Sequence, residues 1–257
     1  MKFISTGRTR LVPIALLAAV STLPACADCN HQAERSLSED LVGIERVELV
    51  AKAGDLEIEA GGSTLEASGT ACASKARLLE EIQLVAERSG STLRVEVETP
   101  DTSGWNQQAR LDLRVSLPAT MSLEVTDGSG DIEARGVTIS RLKDGSGDSR
   151  LTETRGDLRL SDGSGDVTLR GHQGSVELKD GSGDLRLRDV AGSVLITSDG
   201  SGGIDIETVE GDVEVRSDGS GDIDVETVSG DLRVGSAGSG DVRHRGVAGN
   251  VDVPRKD

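Results

Sequence analysis

The tripeptide Gly-Ser-Gly recurs seven times in the second half of the sequence, at a nearly constant interval. The copies begin at residues 128, 145, 163, 181, 200, 219 and 238, so the steps are 17 to 19 residues. A unit of this length cannot bury a hydrophobic face by itself, and stacking successive copies is the usual solution. The period therefore predicts a solenoid.

Each repeat divides into two short strands. A second glycine follows every Gly-Ser-Gly except the first by nine residues; the first repeat, around Gly136, is shorter. Apolar side chains alternate with polar ones after both glycine positions, as in Val167/Leu169 and Val176/Leu178. Alternation with a period of two is typical of a strand with one buried face. We therefore expect an all-β parallel β-helix, or β-solenoid, with rungs of about 18–19 residues and two sheets facing each other across an aliphatic core.

The two corners of a rung have different sequence requirements. The Gly-Ser-Gly corner needs a residue with positive φ and leaves no space for a Cβ atom between stacked rungs. The opposite corner carries a column of valines, with His172 in the matching place one rung earlier; the valines are Val190, Val209, Val228 and Val247. His244 stands where the last rung needs an inward aliphatic residue. We interpret both histidines as structural.

The segment from residue 28 to about 120 is less regular but belongs to the same domain. We expect it to form the N-terminal coils and cap, before the regular repeats of 121–257. Leu78–Arg88 is predicted to be a strand, with a short helix as the alternative, and Trp105, in the polar loop Thr99–Gln108, is predicted to cover the core. Alternation predicts further strands at Val47–Val50, Leu56–Ile58, Leu93–Val97 and Leu111–Val115.

The first 27 residues have the features of a secretory signal peptide. Lys2, Arg8 and Arg10 precede an apolar stretch, and Ala25-Cys26-Ala27 forms a cleavage site. A lipobox reading, in which Cys26 carries a lipid, is the alternative. We therefore expect export to the periplasm, cell envelope or exterior, with an outer-membrane lipoprotein as the alternative.

The cysteines agree with export. Removal or lipidation of Cys26 leaves Cys29 and Cys72 as a pair, and an oxidising compartment favours a disulfide between them. A metal site at these cysteines is disfavoured, because His31 is the sole nearby candidate ligand.

Two rows of aspartates accompany the glycine corner, six before it and six after it. Stacked carboxylates repel, so they need partners. Either they accept turn N–H groups, which we favour, or Ca²⁺ lies between the rungs. We therefore expect no cofactor, with Ca²⁺ as the alternative. The row before the corner is Asp127, Asp144, Asp162, Asp180, Asp199 and Asp218, and the row after it is Asp131, Asp148, Asp166, Asp184, Asp222 and Asp241.

Composition excludes several classes of function. The net charge is −17, and the chain has one Trp, one Phe and no Tyr, which disfavours nucleic-acid binding. No G-x-S-x-G, P-loop or H-E-x-x-H motif occurs. We expect no catalytic residue and no enzymatic activity; a polysaccharide-active β-helix is the remote alternative. No later apolar stretch is long enough for a transmembrane helix, and we expect a monomer.

The segments D-G-S-G-D-I-E at 127–133 and S-D-G-S-G-D-I-D-V at 217–225 resemble the bacterial putative-adhesin family of β-strand-repeat envelope proteins. Ala27-Asp28-Cys29 and Ala71-Cys72-Ala73 are also similar to members of that family. The resemblance implies a right-handed parallel β-helix and a role in adhesion or in the envelope, and it supplies no catalytic residues. We therefore expect a non-enzymatic surface scaffold with an unknown partner, with a calcium-stabilised repeat module as the alternative.

Overall fold

The computed structural model describes residues 29–102 and 107–254. Within them the chain forms two sheets of eleven strands each and one short helix. In chain order the elements are β1 (His31–Glu39), β2 (Arg46–Val50), β3 (Leu56–Ala60), β4 (Leu65–Ala73), α1 (Ala76–Glu81), β5 (Gln83–Ser89), β6 (Thr92–Glu98), β7 (Ala109–Leu117), β8 (Ser122–Thr126), β9 (Ile132–Arg135), β10 (Thr138–Lys143), β11 (Ser149–Thr152), β12 (Leu158–Ser161), β13 (Val167–His172), β14 (Val176–Lys179), β15 (Leu185–Val190), β16 (Val194–Ser198), β17 (Ile204–Val209), β18 (Val213–Val215), β19 (Ile223–Val228), β20 (Leu232–Val234), β21 (Val242–Val247) and β22 (Val251–Asp252).

From β8 onwards successive strands alternate between the two sheets. Odd-numbered strands join sheet A, in the order β9-β11-β13-β15-β17-β19-β21, and even-numbered strands join sheet B. All of these neighbours pair in parallel, and equivalent residues stand in register, as in Val167↔Leu185 and Leu185↔Ile204. The register shifts only in β10 against β8 and in β14 against β16. The predicted β-solenoid with rungs of about 19 residues is confirmed.

The core between the sheets is almost entirely aliphatic. The inward residues of each strand are buried, for example Val167 and Leu169 on β13 and Val176 and Leu178 on β14, each 2% exposed or less. Each buried aliphatic side chain contributes roughly 1.5–3 kcal/mol. Because every rung adds such residues from both strands, stacking stabilises rungs that could not fold alone.

The N-terminal region departs from chain order. The rung made by β2 and β3 stacks directly on β8 and β9, and the rung made by β6 and β7 lies outside it. Beyond that rung, β4 and β1 extend sheet A and β5 extends sheet B, all in antiparallel pairing. The four strands predicted in this region all fall inside β2, β3, β6 and β7.

The prediction of a strand over Leu78–Arg88 was wrong for its first half. Residues Ala76–Glu81 form α1, and the strand β5 begins at Gln83. The apolar pair Leu78 and Ile82 has the i, i+4 spacing of one helix face, and both side chains are fully buried. Helical spacing therefore decided the first part of the segment, and alternation decided the second.

The two predicted reasons for glycine at the Gly-Ser-Gly corner, a positive φ and a lack of space for a Cβ atom, are both present in the structure. The third residue of the Gly-Ser-Gly motif has positive φ in six repeats, at 127° to 148°. A Cβ atom on Gly183 would overlap the carbonyl oxygen of Gly165 in the preceding rung, and the neighbouring rungs repeat this contact. Only glycine fits both conditions.

The opposite corner is a buried column, as predicted. Val190, Val209 and Val228 are each 1% exposed, and His172 is fully buried in the same column. The residue before each of them has positive φ, and it is not always glycine: φ is 57° at Asp189, 62° at Thr208 and 59° at Thr227. His244 pairs with Val225 on the last complete rung and is exposed.

A disulfide joins Cys29, just before β1, to Cys72 in β4, with the two Cα atoms 5.6 Å apart. It ties the outermost strand of sheet A to its neighbour. The predicted signal segment with Cys26, the side chain of Trp105 and the last three residues of the tail lie outside the described residues.

Candidate functional site

The aspartates after the glycine corner form a ladder along the stack. The Oδ1 atom of Asp148 accepts the backbone N–H of Asp166, and the Oδ1 atom of Asp166 accepts that of Asp184, at 3.0 and 2.9 Å. The same bond recurs along the stack from Asp112 to Asp241, with one gap, because Gly203 has no carboxylate to accept the N–H of the following rung. Each carboxylate therefore binds the next rung, as expected for aspartates that accept turn N–H groups.

A second ladder runs along the opposite corner. Ser193 Oγ accepts the N–H of Asp212 at 3.1 Å, and Asp212 Oδ1 accepts that of Asp231 at 2.8 Å. Sequence reasoning missed this ladder, because Asp157, Ser175, Ser193, Asp212 and Asp231 share an acceptor oxygen at the same repeat position but not a residue type.

The aspartates before the corner behave differently, because they point into the rung. All six are 2–5% exposed. Gly163 N–H donates to Asp162, Gly181 N–H to Asp180 and Ser146 N–H to Asp144. No group of three or more His, Cys, Asp or Glu within residues 29–102 and 107–254 is arranged to hold a metal ion.

The outer faces of the sheets carry columns of residues with mixed charge. On sheet A, Thr168, Arg186, Asp205, Asp224 and Arg243 stand in register on adjacent strands. Ion pairs cross the strands, such as Arg159–Glu177 at 3.1 Å on sheet B and Arg188–Glu207 at 3.4 Å on sheet A. Such exposed pairs contribute little to stability, about 0–1 kcal/mol each.

One part of sheet A concentrates positive charge. We call it the arginine band: Arg135 on β9, Arg150 on β11, Arg170 on β13, and Arg186 and Arg188 on β15. Acidic residues flank it on both sides, with Glu57 and Glu133 towards the N-terminal cap and Asp205, Glu207, Asp224 and Glu226 towards the C-terminal end.

The members of the band differ in their partners. Arg186 binds Asp166 at 2.8 Å and Asp184 at 2.5 Å, and its guanidinium lowers the pKa of Asp166. Arg150 and Arg170 are exposed and make no ion pair or hydrogen bond to any residue that the structure describes. These two guanidinium groups are therefore available to a ligand.

A shallow groove of about 450 Å³ adjoins the band. It lies over β3, β7 and β4, and Arg150 lines its edge together with acidic side chains that include Glu34, Asp112 and Glu133. Within it Arg114 pairs with Glu57, and Thr70 donates to Glu34 at 3.1 Å. The groove and the band thus form one continuous surface on sheet A.

The sequence of the two-sheet stack matches the model of a known protein family. The profile of the Toastrack DUF4097 family matches residues 44–256. The chain belongs to this family. The match spans all rungs from β2 to the end of the described stack and omits β1, so the strand that carries His31 lies outside the shared unit.

Solved structures with a similar fold come from three bacteria. They are a putative lipid binding protein from Parabacteroides distasonis (14% identity, TM-score 0.48, covering 88% of this chain and 98% of that one), a putative adhesin from Bacteroides fragilis (12%, 0.41, 88% and 98%) and a putative cell adhesion protein from Clostridium sporogenes (12%, 0.40, 84% and 99%). A comparison with curated proteins gave no match. No helix in the described part of this Toastrack chain has the length and hydrophobicity that a bilayer crossing requires.

Proposed function

We propose that this Toastrack protein is a non-enzymatic, exported scaffold of the cell envelope or surface, which binds a partner in the manner of an adhesin. The partner contacts the outer face of sheet A and places anionic groups on the arginine band. The signal-like N-terminus supports export, and the surface of sheet A supports binding there.

The observation that carries the proposal is the pair of unpartnered arginines. Arg150 and Arg170 are the members of the band without an acidic partner among the described residues, and they stand on adjacent strands of a rigid sheet. A guanidinium group binds carboxylate or phosphate through two parallel hydrogen bonds, and it retains its charge at all physiological pH values. Arg150 pairs with Thr168, and Thr152 pairs with Arg170, so the two arginines are diagonal neighbours at about 7–8 Å. This spacing suits a repeating anionic polymer or a pair of acidic groups.

The interior of the stack supports a role at the surface. Aliphatic side chains such as Leu169, Leu178 and Leu187 fill the space between the sheets and are 1% exposed or less. Ligand sites in β-proteins need a cavity with a few polar groups. Two recesses of the described chain instead open on the outer faces, one over sheet A and one over sheet B.

An array of cell-wall and polysaccharide fragments tests the proposal. The full chain is applied beside the variant Arg150→Ala/Arg170→Ala and the matched control Arg159→Ala/Arg233→Ala, which removes two exposed arginines from sheet B. We expect the sheet A variant to lose at least about tenfold in affinity, because a hydrogen bond to a charged group contributes roughly 1.5–3 kcal/mol. Equal binding by all three proteins would contradict the assigned face, and absence of binding would contradict the function.

A calcium-stabilised repeat module is the second candidate. Its support is the row of carboxylates after the glycine corner, at the spacing of adjacent strands. In the structure those carboxylates already accept backbone N–H groups, so we rank this candidate lower.

A further inference from the structure

The six aspartates before the glycine corner form one continuous buried column, which we call the aspartate column. Successive members stack in register: Asp162 N–H donates to Lys179 O and Asp180 N–H to Ser198 O, each at 2.9 Å, in the strand that carries the next aspartate. Alanine takes the same place at both ends, as Ala51 and Ala237, which are 6% and 8% exposed. The column is thus bounded. Its members are Asp127, Asp144, Asp162, Asp180, Asp199 and Asp218.

Most oxygens of the column lack a hydrogen-bond partner. Both carboxyl oxygens of Asp127, Asp199 and Asp218, and one each of Asp162 and Asp180, are buried without one among the described residues. A buried polar group without a partner costs about 1–3 kcal/mol, and more when it is charged. Six ionised carboxylates in this position would therefore oppose folding.

The carboxyl oxygens lack partners because most side chains that face the column are aliphatic. Ser149, five residues after Asp144, donates its hydroxyl to that carboxylate at 3.1 Å. The equivalent position in the other rungs is aliphatic, as Val167 is for Asp162 and Ile204 is for Asp199. Five of the six carboxyl groups thus have an aliphatic residue where Asp144 has a hydroxyl; the remaining three are Ile132, Leu185 and Ile223.

Within residues 29–102 and 107–254, the charges that act most strongly on the column are negative. Adjacent strands lie about 4.8 Å apart, and the charges that act on these carboxyl groups are the column members themselves together with Asp55 and Asp131. Among the described residues, Lys143 and Lys179 precede column members but are exposed on the outer face. Burial first, and neighbouring carboxylates second, raise the pKa of Asp127, Asp162 and Asp199 to about 7, and burial also raises the pKa of Asp144, Asp180 and Asp218.

We propose that the aspartate column is a proton-binding site, in which stacked carboxyl groups share protons between rungs and link the stability of the solenoid to pH. A protonated carboxyl group donates its O–H to the carboxylate of the next rung, and the proton comes from solvent when the chain folds. One shared proton satisfies an oxygen on each of two neighbouring rungs.

The sign of the pH dependence follows from the direction of the shifts. A carboxyl group whose pKa is higher in the folded chain stabilises it fully below the unfolded value of about 3.9, and this contribution is lost as pH rises towards about 7. Unlike a protein whose carboxylates are all paired, this chain should lose stability between about pH 5 and pH 8. His172 acts in the opposite direction, since burial lowers its pKa, and it is retained in the variants that test the aspartate column.

Thermal unfolding of the full chain at about pH 5 and pH 8 tests the proposal. We compare it with Asp162→Asn/Asp199→Asn, which keeps shape but cannot titrate, and with Asp189→Asn/Glu210→Gln, which removes two exposed acidic groups. A further variant, Val167→Ser, gives Asp162 the hydroxyl that Asp144 has. The full chain should melt at least ~4 °C lower at pH 8 than at pH 5. The column variant should lose half of that difference or more, Val167→Ser a smaller part, and the exposed control none.

Infrared spectra of the unmodified chain supply a second readout that needs no variant. At pH 7 the carbonyl stretch of protonated carboxyl groups should be present in the folded protein and absent after unfolding. Absence of that band in the folded protein, or an equal pH dependence in the column variant and the full chain, would overturn the proposal. So would a Ca²⁺-selective rise in Tm at pH 8 that Asp162→Asn/Asp199→Asn abolishes, because the column would then bind metal and not protons.

Discussion

At the scale of single residues, the most informative positions are those where the backbone demands one conformation and the side chain does not suit it. Thr208 and Thr227 occupy the left-handed region before the corner valines, whereas Gly171 and Gly246 occupy the same place in other rungs. A left-handed conformation costs an L-residue roughly 1–2 kcal/mol. The two threonines therefore store strain that glycine would release.

Replacing Thr208 and Thr227 with glycine should stabilise the protein. Glycine relieves the strain but adds about 0.4–1 kcal/mol of unfolded-state entropy, so we expect a net gain of about 0.5–1 kcal/mol at each site. Denaturant unfolding measures it. The control Thr197→Gly, in β16 with an ordinary φ and a hydroxyl that donates to Leu178 O at 3.1 Å, should destabilise. A loss at Thr208 as large as at Thr197 would contradict the strain.

His172 should make the protein sensitive to acid. Its ring nitrogen Nδ1 shares a hydrogen bond with the buried hydroxyl of Thr154 at 3.0 Å, and burial lowers its pKa below the usual 6.5. At this residue the folded chain therefore binds fewer protons than the unfolded chain, so His172 opposes the aspartate column and destabilises the fold as pH falls below about 6.5.

The double variant Thr154→Val/His172→Val extends the valine column and removes this effect. Its Tm should exceed that of the full chain more at pH 5 than at pH 8. The single variant His172→Val should lose about 1 kcal/mol at pH 8, because the hydroxyl of Thr154 is left buried without a partner. An equal difference in Tm at both pH values would show that His172 titrates as it does in the unfolded chain.

At the scale of elements, side-chain ladders join rungs that the hydrophobic core alone would hold less specifically. Asp166 accepts the N–H of Asp184 at 2.9 Å and also binds Arg186. Asp166→Ala should cost about 1–2 kcal/mol, because the half-buried N–H of Asp184 loses its acceptor. Asp166→Asn keeps an acceptor oxygen and should lose less. If the two variants are equally stable, the ladder bond contributes nothing.

The disulfide should stabilise the N-terminal cap. It closes a loop of 43 residues between Cys29 and Cys72, and in the chain-entropy model a loop of this length is worth about 4 kcal/mol. Reduction, or Cys29→Ala/Cys72→Ala, should lower the Tm. Hydrogen exchange should rise first in β1, the edge strand. Unchanged exchange in β1 would indicate that β4 holds it without the bond.

The fold could be predicted from the sequence where the repeat period is strict, and the order of the rungs could not be predicted where the period is lost. From residue 121 onwards, each glycine and each alternating pair specifies its strand and its register. Before residue 121 the rung of β6 and β7 stacks outside that of β2 and β3. Such an order of rungs depends on long-range pairing, which local alternation cannot encode.

The site was less predictable than the fold for a similar reason. The sequence shows two rows of aspartates with the same residue type. Only the structure separates a row that accepts N–H groups along the outside from a column that is buried and unpartnered. Asp127 continues the inward alternation of Leu123 and Val125, whereas Asp131 directly precedes the inward residue Ile132 and therefore faces outwards.

At the scale of the whole molecule, charge is distributed unevenly along the stack. Although the net charge is −17, the arginine band lies on the middle rungs, between strands that carry Glu57 and Glu133 on one side and strands β17 and β19, rich in Asp and Glu, on the other. A partner with anionic groups that contact the arginine band should bind through electrostatic attraction. Its affinity should therefore fall as ionic strength rises.

The central claim is that stacked rungs are held by the aliphatic core and by aspartates that accept backbone N–H groups, without metal. Thermal unfolding of the full chain at pH 7, in EDTA and across a Ca²⁺ titration with Mg²⁺ as the charge control, tests it most directly. We expect the same Tm in EDTA and in Ca²⁺, or equal small shifts with Ca²⁺ and Mg²⁺. A rise of many degrees that only Ca²⁺ produces would contradict the account and would make the aspartate rows a metal array.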